Sequence, residues 1–194
     1  MPELEIFLSI AAGIGLAAAC GFRIFVPLLL ISIANKAGHL ELASGFEWMG
    51  TTPALVTFAG ATLLEVVAYY VPFLDNLLDT LATPSAVVAG TIATASQVGD
   101  MSPWLTWSVA IIGGGGAAGL VQGMTTVTRQ ISSLATAGFG NPIVSTLEAG
   151  ASFVLTAAAV FVPLLAVFCL VLGLAYGAKK LFMRKSKDPE IVAA

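Results

Sequence analysis

The chain has 194 residues, of which 58% are hydrophobic and only 10% are charged, and its mean hydropathy is +0.96. A soluble domain usually carries about 25% charged residues. The composition therefore excludes an ordinary soluble protein and predicts an integral membrane protein whose main partner is the lipid bilayer. With a net charge of −3, nothing in the chain suggests a nucleic-acid surface.

The first apolar run covers residues 4–34, which is too long for one untilted span, because about 20 apolar residues cross the hydrocarbon core. One interpretation is a single kinked helix, and the other is a break at Gly21 followed by a second helix over residues 22–36. We favour the break, because Pro27 is acceptable in the first turn of a helix. No basic residue precedes the run, so we expect a retained membrane helix rather than a signal peptide.

A polar loop leads into a clear span over residues 53–71. The next segment, residues 72–83, places Asp75 and Asp79 on one helical face and leucines on the other, which predicts a short amphipathic helix at the membrane interface. A shorter span over residues 84–98 follows.

The second half of the chain begins with a span over residues 104–127, after which residues 125–133 are too polar to face lipid. Glycine and proline at 138–142 predict a break, which a helical bundle tolerates only where protein or water covers the backbone. Residues 143–177 form either one long kinked helix or two shorter ones, since Pro163 lies near their middle. The predicted fold class is all-α and polytopic, with about six embedded helices and with five or seven as alternatives.

We assign residues 1–178 to one transmembrane helical domain and residues 179–194 to a basic tail that we expect to be disordered. Five of the eight basic residues lie in this tail, which predicts a cytoplasmic C-terminus for a multi-pass protein. Each half has an arginine, then an interruption, then a glutamate, so residues 1–100 and 101–178 are candidate pseudo-repeats. An inverted repeat is common in transporters, although chance similarity between apolar segments produces the same pattern.

Two stripes of small residues recur at four-residue spacing, which allows the backbones of neighbouring helices to approach closely. Packing within one chain is the simpler interpretation, and a homodimer interface or a helix thinned to admit substrate are the alternatives. The stripes are Gly13, Ala17 and Gly21 in the first half and Gly115, Gly119 and Gly123 in the second.

Four charged residues within or beside the apolar runs are the strongest functional signal. An ionised side chain at mid-bilayer costs roughly 2.5–3.5 kcal/mol on insertion scales, so such residues usually have a partner or mark a pathway. One interpretation is two buried Arg–Glu salt bridges that fix helix register. The other is a polar centre that binds an anion through arginine or relays protons through glutamate. The candidates are Arg23, Glu65, Arg129 and Glu148, with Gln122 and Asn141 along the pathway.

The sequence offers few residues for metal binding or for enzyme catalysis. Asp75 and Asp79 form a candidate secondary acidic site, but two carboxylates without a third ligand are a weak metal signal. His39 is the only histidine and lies in a loop, and no serine lies in a nucleophile motif. We therefore expect no enzyme activity, no metal and no cofactor.

Three blocks of the sequence resemble a family of small bacterial inner-membrane proteins that is grouped under a domain-of-unknown-function label. The resemblance spans most of the chain and implies the bacterial inner membrane, but it implies no activity. Members often carry an acidic and a basic residue at positions 69–71, where this chain has two tyrosines and a valine. The blocks are GFRIFVPLL from Gly21, Glu65 with the PFLD segment and Asp79, and GFGNPIVSTLE ending at Glu148.

The leading functional hypothesis is a transporter or channel for a small solute or ion, in which the arginines supply positive charge and the glutamates are partners or proton carriers. The alternatives are a scaffold or assembly protein with structural salt bridges, and a lipid-handling protein. Transport predicts a water-filled cavity lined by the four charges, and a scaffold predicts a dry, closed pair for each arginine. Lipid handling predicts a lateral gap with apolar walls beside the glycine-rich helix.

Overall fold

The computed structural model describes residues 2–70, 74–99 and 101–187, with side chains for 3–70, 81–99 and 101–179, and this part of the chain is all-helical. A 3-10 turn, Glu47–Gly50, precedes the third α-helix. The α-helices are α1 Pro2–Cys20, α2 Phe25–Lys36, α3 Thr52–Ala68, α4 Leu74–Ala95, α5 Pro103–Thr136, α6 Asn141–Phe161 and α7 Pro163–Lys187.

The predicted all-α class is confirmed. Three helices are long and apolar enough to cross a membrane, namely Glu3–Cys20 within α1, the whole of α5 and the whole of α6. The apolar parts of α2, α3, α4 and α7 are shorter, at 10–17 residues. These lengths are consistent with a membrane protein, and the count of about six embedded helices stays a prediction.

Helix α1 forms the centre of the bundle and packs against α4, α5, α6 and α7. The last turns of α1 are fully buried, since Leu16 and the four residues after it are 0% exposed. Small residues make this possible, because a Cβ on Gly13 would meet Thr94 of α4 at 2.9 Å and a Cβ on Gly21 would meet the carbonyl oxygen of Ala118 of α5 at 2.6 Å. The first small-residue stripe therefore packs within the chain.

The glycine-rich part of α5 departs from α-helical geometry, because Ala110–Gly115 forms a π-helical turn. A Cβ on Gly115 would meet a side chain of α4 at 2.8 Å, and one on Gly119 would meet another at 3.2 Å. Nothing lies within 4 Å of a Cβ on Gly123. The second stripe therefore packs on α4 through its first two glycines. Gly123 makes no such contact among the described residues, and its role in helix packing stays a prediction.

Most of the predicted interruptions are present. Residues 21–24 separate α1 from α2, residues 137–140 separate α5 from α6, and Val162 alone separates α6 from α7. Between the two predicted alternatives for residues 143–177, the structure therefore has two helices. The polar segment 125–133 continues α5 instead of ending it. Thr125 and Arg129 of this segment are buried, whereas Thr128 and Gln130 are exposed.

Helix α4 contradicts a predicted boundary. The sequence predicts an interfacial helix over residues 72–83 and a separate span from Pro84, but one helix runs from Leu74 through Pro84 to Ala95. A proline inside a helix removes one backbone hydrogen bond, and neighbouring helices in a bundle compensate for that loss. The side chains of Asp75 and Asp79 lie outside those that the structure describes, so the acidic site stays a prediction.

The predicted domain boundary at residue 178 lies inside α7, which continues to Lys187. The first part of the basic tail is therefore helical as far as Lys187, and the division into a membrane domain and a disordered tail stays a prediction. Residues 188–194 lie outside the described part of the chain.

The two ends of the bundle differ in character. At one end, which we call the loop end, the backbone N–H of Ala43 donates to the carbonyl of Ser96 at 2.8 Å, and the rings of His39 and Phe161 meet at 5.8 Å. At the other end, which we call the charged end, α1 and α3 finish and α2 and α6 begin. The candidate functional residues collect there.

Gly114→Ala is expected to lower the free energy of unfolding, whereas Gly116→Ala is not. A Cβ on Gly114 would meet the carbonyl oxygen of Gly90 at 2.8 Å as well as the Thr94 side chain, and overpacking of this kind costs roughly 1–3 kcal/mol. Nothing lies within 4 Å of a Cβ on Gly116, and alanine favours a helix by about 1 kcal/mol over glycine. Denaturant unfolding in detergent, followed by circular dichroism, compares the two; equal stability would contradict the packing of the π turn.

Candidate functional site

Glu65 of α3 caps the first turn of α2. Its Oε1 accepts a hydrogen bond from the N–H of Ile24 at 2.8 Å, and its Oε2 accepts one from the N–H of Phe25 at 3.0 Å. The first amides of a helix have no partner within it, and the helix dipole favours a negative charge beside them. This contact explains why α2 begins at Phe25 rather than at residue 22.

Glu148, in the second turn of α6, holds both buried arginines. The Nε of Arg129 on α5 donates to each carboxylate oxygen at 3.1 Å, and its Nη2 forms a further close contact with Oε2. The Nη2 of Arg23 lies 3.5 Å from the same Oε2. The three side chains are 1% (Arg23), 3% (Arg129) and 6% (Glu148) exposed. Buried charges persist when they are paired and hydrogen-bonded, as they are here.

The ring of Tyr69, directly after α3, packs against the guanidinium groups of both arginines. The Cζ of Arg23 lies 3.9 Å from the centroid of its ring, and the Cζ of Arg129 lies 4.0 Å from it. Cation–π attraction reaches about 2 kcal/mol when the cation is desolvated. Tyr69 follows Glu65 by four residues and so shares its face of α3. Tyr69 was not among the predicted site residues, although its four-residue spacing from Glu65 could have identified it.

Arg23 is the least satisfied member of the site. Its Nη2 donates to the carbonyl oxygen of Ser145 at 2.9 Å and to the Ser145 hydroxyl. Its Nε and Nη1 are buried and have no hydrogen-bond partner among the described residues. An unpaired buried donor costs about 1–3 kcal/mol, and more when it is charged. Ser145 was also missed, although it precedes Glu148 by three residues and lies on the same face of α6.

These residues form one group, which we call the charged cluster: Arg23, Glu65, Tyr69, Arg129, Ser145 and Glu148. The prediction of one Arg–Glu salt bridge in each half is wrong, because both arginines share Glu148 while Glu65 binds backbone amides. The helix ends of both halves meet at the charged end, which lets the second half supply the partner for Arg23. The contacts of the two glutamates are not equivalent, so the pseudo-repeat stays a prediction.

The remaining candidates make local contacts. Gln122 is buried on α5 and donates to the hydroxyl of Thr126 at 3.4 Å. Asn141 begins α6 and donates to the hydroxyl of Ser133 at 2.9 Å, which ties the start of α6 to the last turns of α5. Within the described residues, no group of three His, Cys, Asp or Glu residues could hold a metal ion.

A cavity of about 590 Å³ lies beside the charged cluster, between α5, α6 and α7. We call it the lateral cleft, because it opens on the side of the bundle, where its lining residues Leu147 and Val154 are 69% and 67% exposed. Glu148 is the only charged-cluster residue that lines it, at a polar end. The other polar contributors are Thr125 and Thr128, and the apolar walls include Phe22, Val121, Met124, Val144, Ala151, Leu155, Ala158, Leu165, Leu170 and Leu174.

Glu148→Gln is expected to lower the free energy of unfolding by roughly 3–5 kcal/mol, because it leaves two buried guanidinium groups without their shared carboxylate. Glu65→Gln, the matched change, is expected to cost about 1–2 kcal/mol, since the amide still accepts one of the two backbone hydrogen bonds. Reversible unfolding in detergent measures both values. A larger loss for Glu65→Gln would show that the capping contact, and not the shared carboxylate, dominates the cluster.

Comparison with known proteins confirms that the chain resembles a domain-of-unknown-function family. No curated protein and no solved structure matches the chain. The family described as "Domain of unknown function (DUF4126)" matches it over residues 10–181. Because the match covers most of the chain, this protein belongs to the DUF4126 family.

Proposed function

We propose that this protein is a lipid-handling membrane protein, in which the lateral cleft takes a lipid chain and the charged cluster meets the polar headgroup. The observation that carries this proposal is the cleft itself, which has apolar walls, a lateral opening and one polar end. A gap of this kind beside the glycine-rich helix is the feature that distinguishes lipid handling from transport and from a scaffold.

The dimensions of the cleft suit a single lipid chain. Its volume of about 590 Å³ lies within the range of pockets that bury most of a small ligand, roughly 300–1,000 Å³. Along α6 its lining runs from Val144 to Ala158, which is about 21 Å at the helical rise. One leaflet of the hydrocarbon core is about 15 Å thick. A chain from one leaflet therefore fits along the cleft, with its polar end beside Glu148.

Exposed aromatic residues support this orientation. Trp104 and Trp107 lie in the first turns of α5 at the loop end, and Tyr70 and Tyr176 lie near the charged cluster at the other end; all four are exposed. Trp and Tyr concentrate at the two membrane interfaces. From Trp104 to Arg129, α5 rises about 38 Å, against about 30 Å for the hydrocarbon core. The charged cluster would then lie at headgroup level, where a lipid presents its polar part.

The position of α7 adds to the argument. Helices α6 and α7 form a hairpin around the cleft, so the C-terminal part of α7 lies at the charged end. Lys179 there is the first residue of the basic tail, which favours the cytoplasmic side. The cleft would accordingly draw its lipid from the cytoplasmic leaflet of what the family resemblance implies is a bacterial inner membrane.

Transport of a small solute or ion is the second candidate. It is favoured by the charged cluster, in which ionised residues from α3, α5, α6 and the break after α1 converge in the interior. Against it, only one of the four charges lines the lateral cleft, and the walls are apolar. A purely structural scaffold accounts for the shared Glu148 pairing but offers no role for the cleft.

Gly173→Phe is expected to remove most of the lipid that the purified protein retains, whereas Gly150→Phe is expected to leave it unchanged. Both glycines have open space where a Cβ would stand, but only Gly173 lines the cleft. Displacing two methylenes of a bound chain, at about 0.8 kcal/mol each, weakens binding roughly tenfold. Native mass spectrometry from detergent counts the lipid in each variant. Equal retention in the two variants would remove the cleft as the lipid site.

If the protein transports a small ion, flux into liposomes is expected to fall in Arg129→Gln and Glu65→Gln, because both variants alter the charge that the ion passes. Folding of each variant is checked first by its elution as a single species. Flux that is present but unchanged in both folded variants would rule out these residues as the pathway. No flux in the unsubstituted protein would remove transport itself.

A further inference from the structure

We propose that Arg23 recognises an oxyanion, so that the ligand of the lateral cleft is an acidic lipid whose phosphate or carboxylate oxygen accepts hydrogen bonds from Nε and Nη1. This inference rests on the proposed function and names the ligand class for the same site. It starts from the two guanidinium nitrogens that are buried and have no partner among the described residues. Arginine is always charged, and its donors suit phosphate and carboxylate oxygens.

The protein's own acceptors at this point are already engaged. Each oxygen of Glu65 accepts from a backbone amide of α2, and each oxygen of Glu148 accepts from Arg129. Ser145 accepts from Nη2 of Arg23, on one side of the guanidinium only. Among the described residues, no acceptor contacts Nε or Nη1, which leaves both donors open to a ligand.

The position of Arg23 beside the cleft indicates that a lipid headgroup supplies the acceptor for Nε and Nη1. Its Nη2 lies 3.5 Å from Glu148 Oε2, and Glu148 forms the polar end of the cleft. Arg23 itself does not line the cleft, but the preceding residue, Phe22, does, so two residues next to Arg23, Phe22 and Glu148, belong to the wall. A chain along the cleft would bring its headgroup to this wall, where a buried guanidinium forms charge-assisted hydrogen bonds shielded from water.

The experiment compares two lipids with the same acyl chains, phosphatidic acid and diacylglycerol, added to the delipidated full-length protein and measured by native mass spectrometry. The unsubstituted protein is expected to bind phosphatidic acid roughly tenfold more tightly than diacylglycerol, a difference that charge-assisted hydrogen bonds can supply. Arg23→Lys keeps a positive charge but lacks Nε and Nη1, and it is expected to lose most of this preference. Lys36→Gln, a charge change on α2 at the loop end, serves as the control and is expected to keep the preference.

Inorganic phosphate, added to the lipid-free protein and followed by phosphorus NMR, distinguishes a headgroup from a free ion. Phosphate binding that needs Arg23 keeps the oxyanion site but assigns it to a free anion. Equal binding of the two lipids, with no phosphate binding, overturns the oxyanion site and leaves lipid handling standing. Binding of neither lipid by the unsubstituted protein overturns the proposed function. The comparison of phosphatidic acid with diacylglycerol uses the unsubstituted protein, so it tests the oxyanion site even if a variant at Arg23 does not fold.

Discussion

The structure depends on one carboxylate that two buried arginines share. Glu148 of α6 binds Arg129 of α5 directly and lies beside Arg23, which follows α1, and Tyr69 of α3 packs against both guanidinium groups. This group of contacts thus joins four segments of the chain: the break after α1, the end of α3, and helices α5 and α6. Two like charges that approach the same ring are tolerable only with a negative charge between them, because burial strengthens their repulsion as much as it strengthens the pairing.

The same end of the bundle contains the irregular backbone that would otherwise be costly in a membrane. Residues 21–24 and 137–140 are not helical, and amides there need partners that lipid cannot provide. Glu65 supplies two of these partners at the start of α2. The hydroxyl of Ser152 on α6 donates to the carbonyl of Ala19 at 3.0 Å, which ties α6 to the last turn of α1; the same carbonyl also accepts from the amides of Phe22 and Arg23. The charges and the breaks therefore lie at the same end of the bundle, where Glu65 completes the backbone of one break and Glu148 pairs with both arginines.

The sequence was sufficient for features that depend on neighbouring residues and insufficient for those that depend on tertiary contacts. The end of α1 at Gly21, the break before Asn141 and the division at Pro163 follow from local glycine and proline effects. The four charges were recognisable because ionised residues are rare in apolar runs. Their partners were not, because Glu65 binds amides about 40 residues away and backbone amides carry no sequence signature. The predicted boundary at Pro84 was wrong for a related reason, because the continuation of α4 through this proline depends on the helices packed around it.

The position of the charged cluster at one end of the bundle alters what the buried charges mean. Costly charge at mid-bilayer argues for a pathway, but charge at headgroup level costs less and can be explained by a ligand that stays at that level. The lateral cleft begins at this cluster and is otherwise apolar, which suits a molecule with one polar end and an apolar chain. A small hydrated ion in the cleft would meet mostly apolar groups, which do not replace its water, apart from Thr125, Thr128 and Glu148. If the cleft binds a lipid as proposed, the four charges lie at the polar end of that lipid rather than in the middle of an ion route.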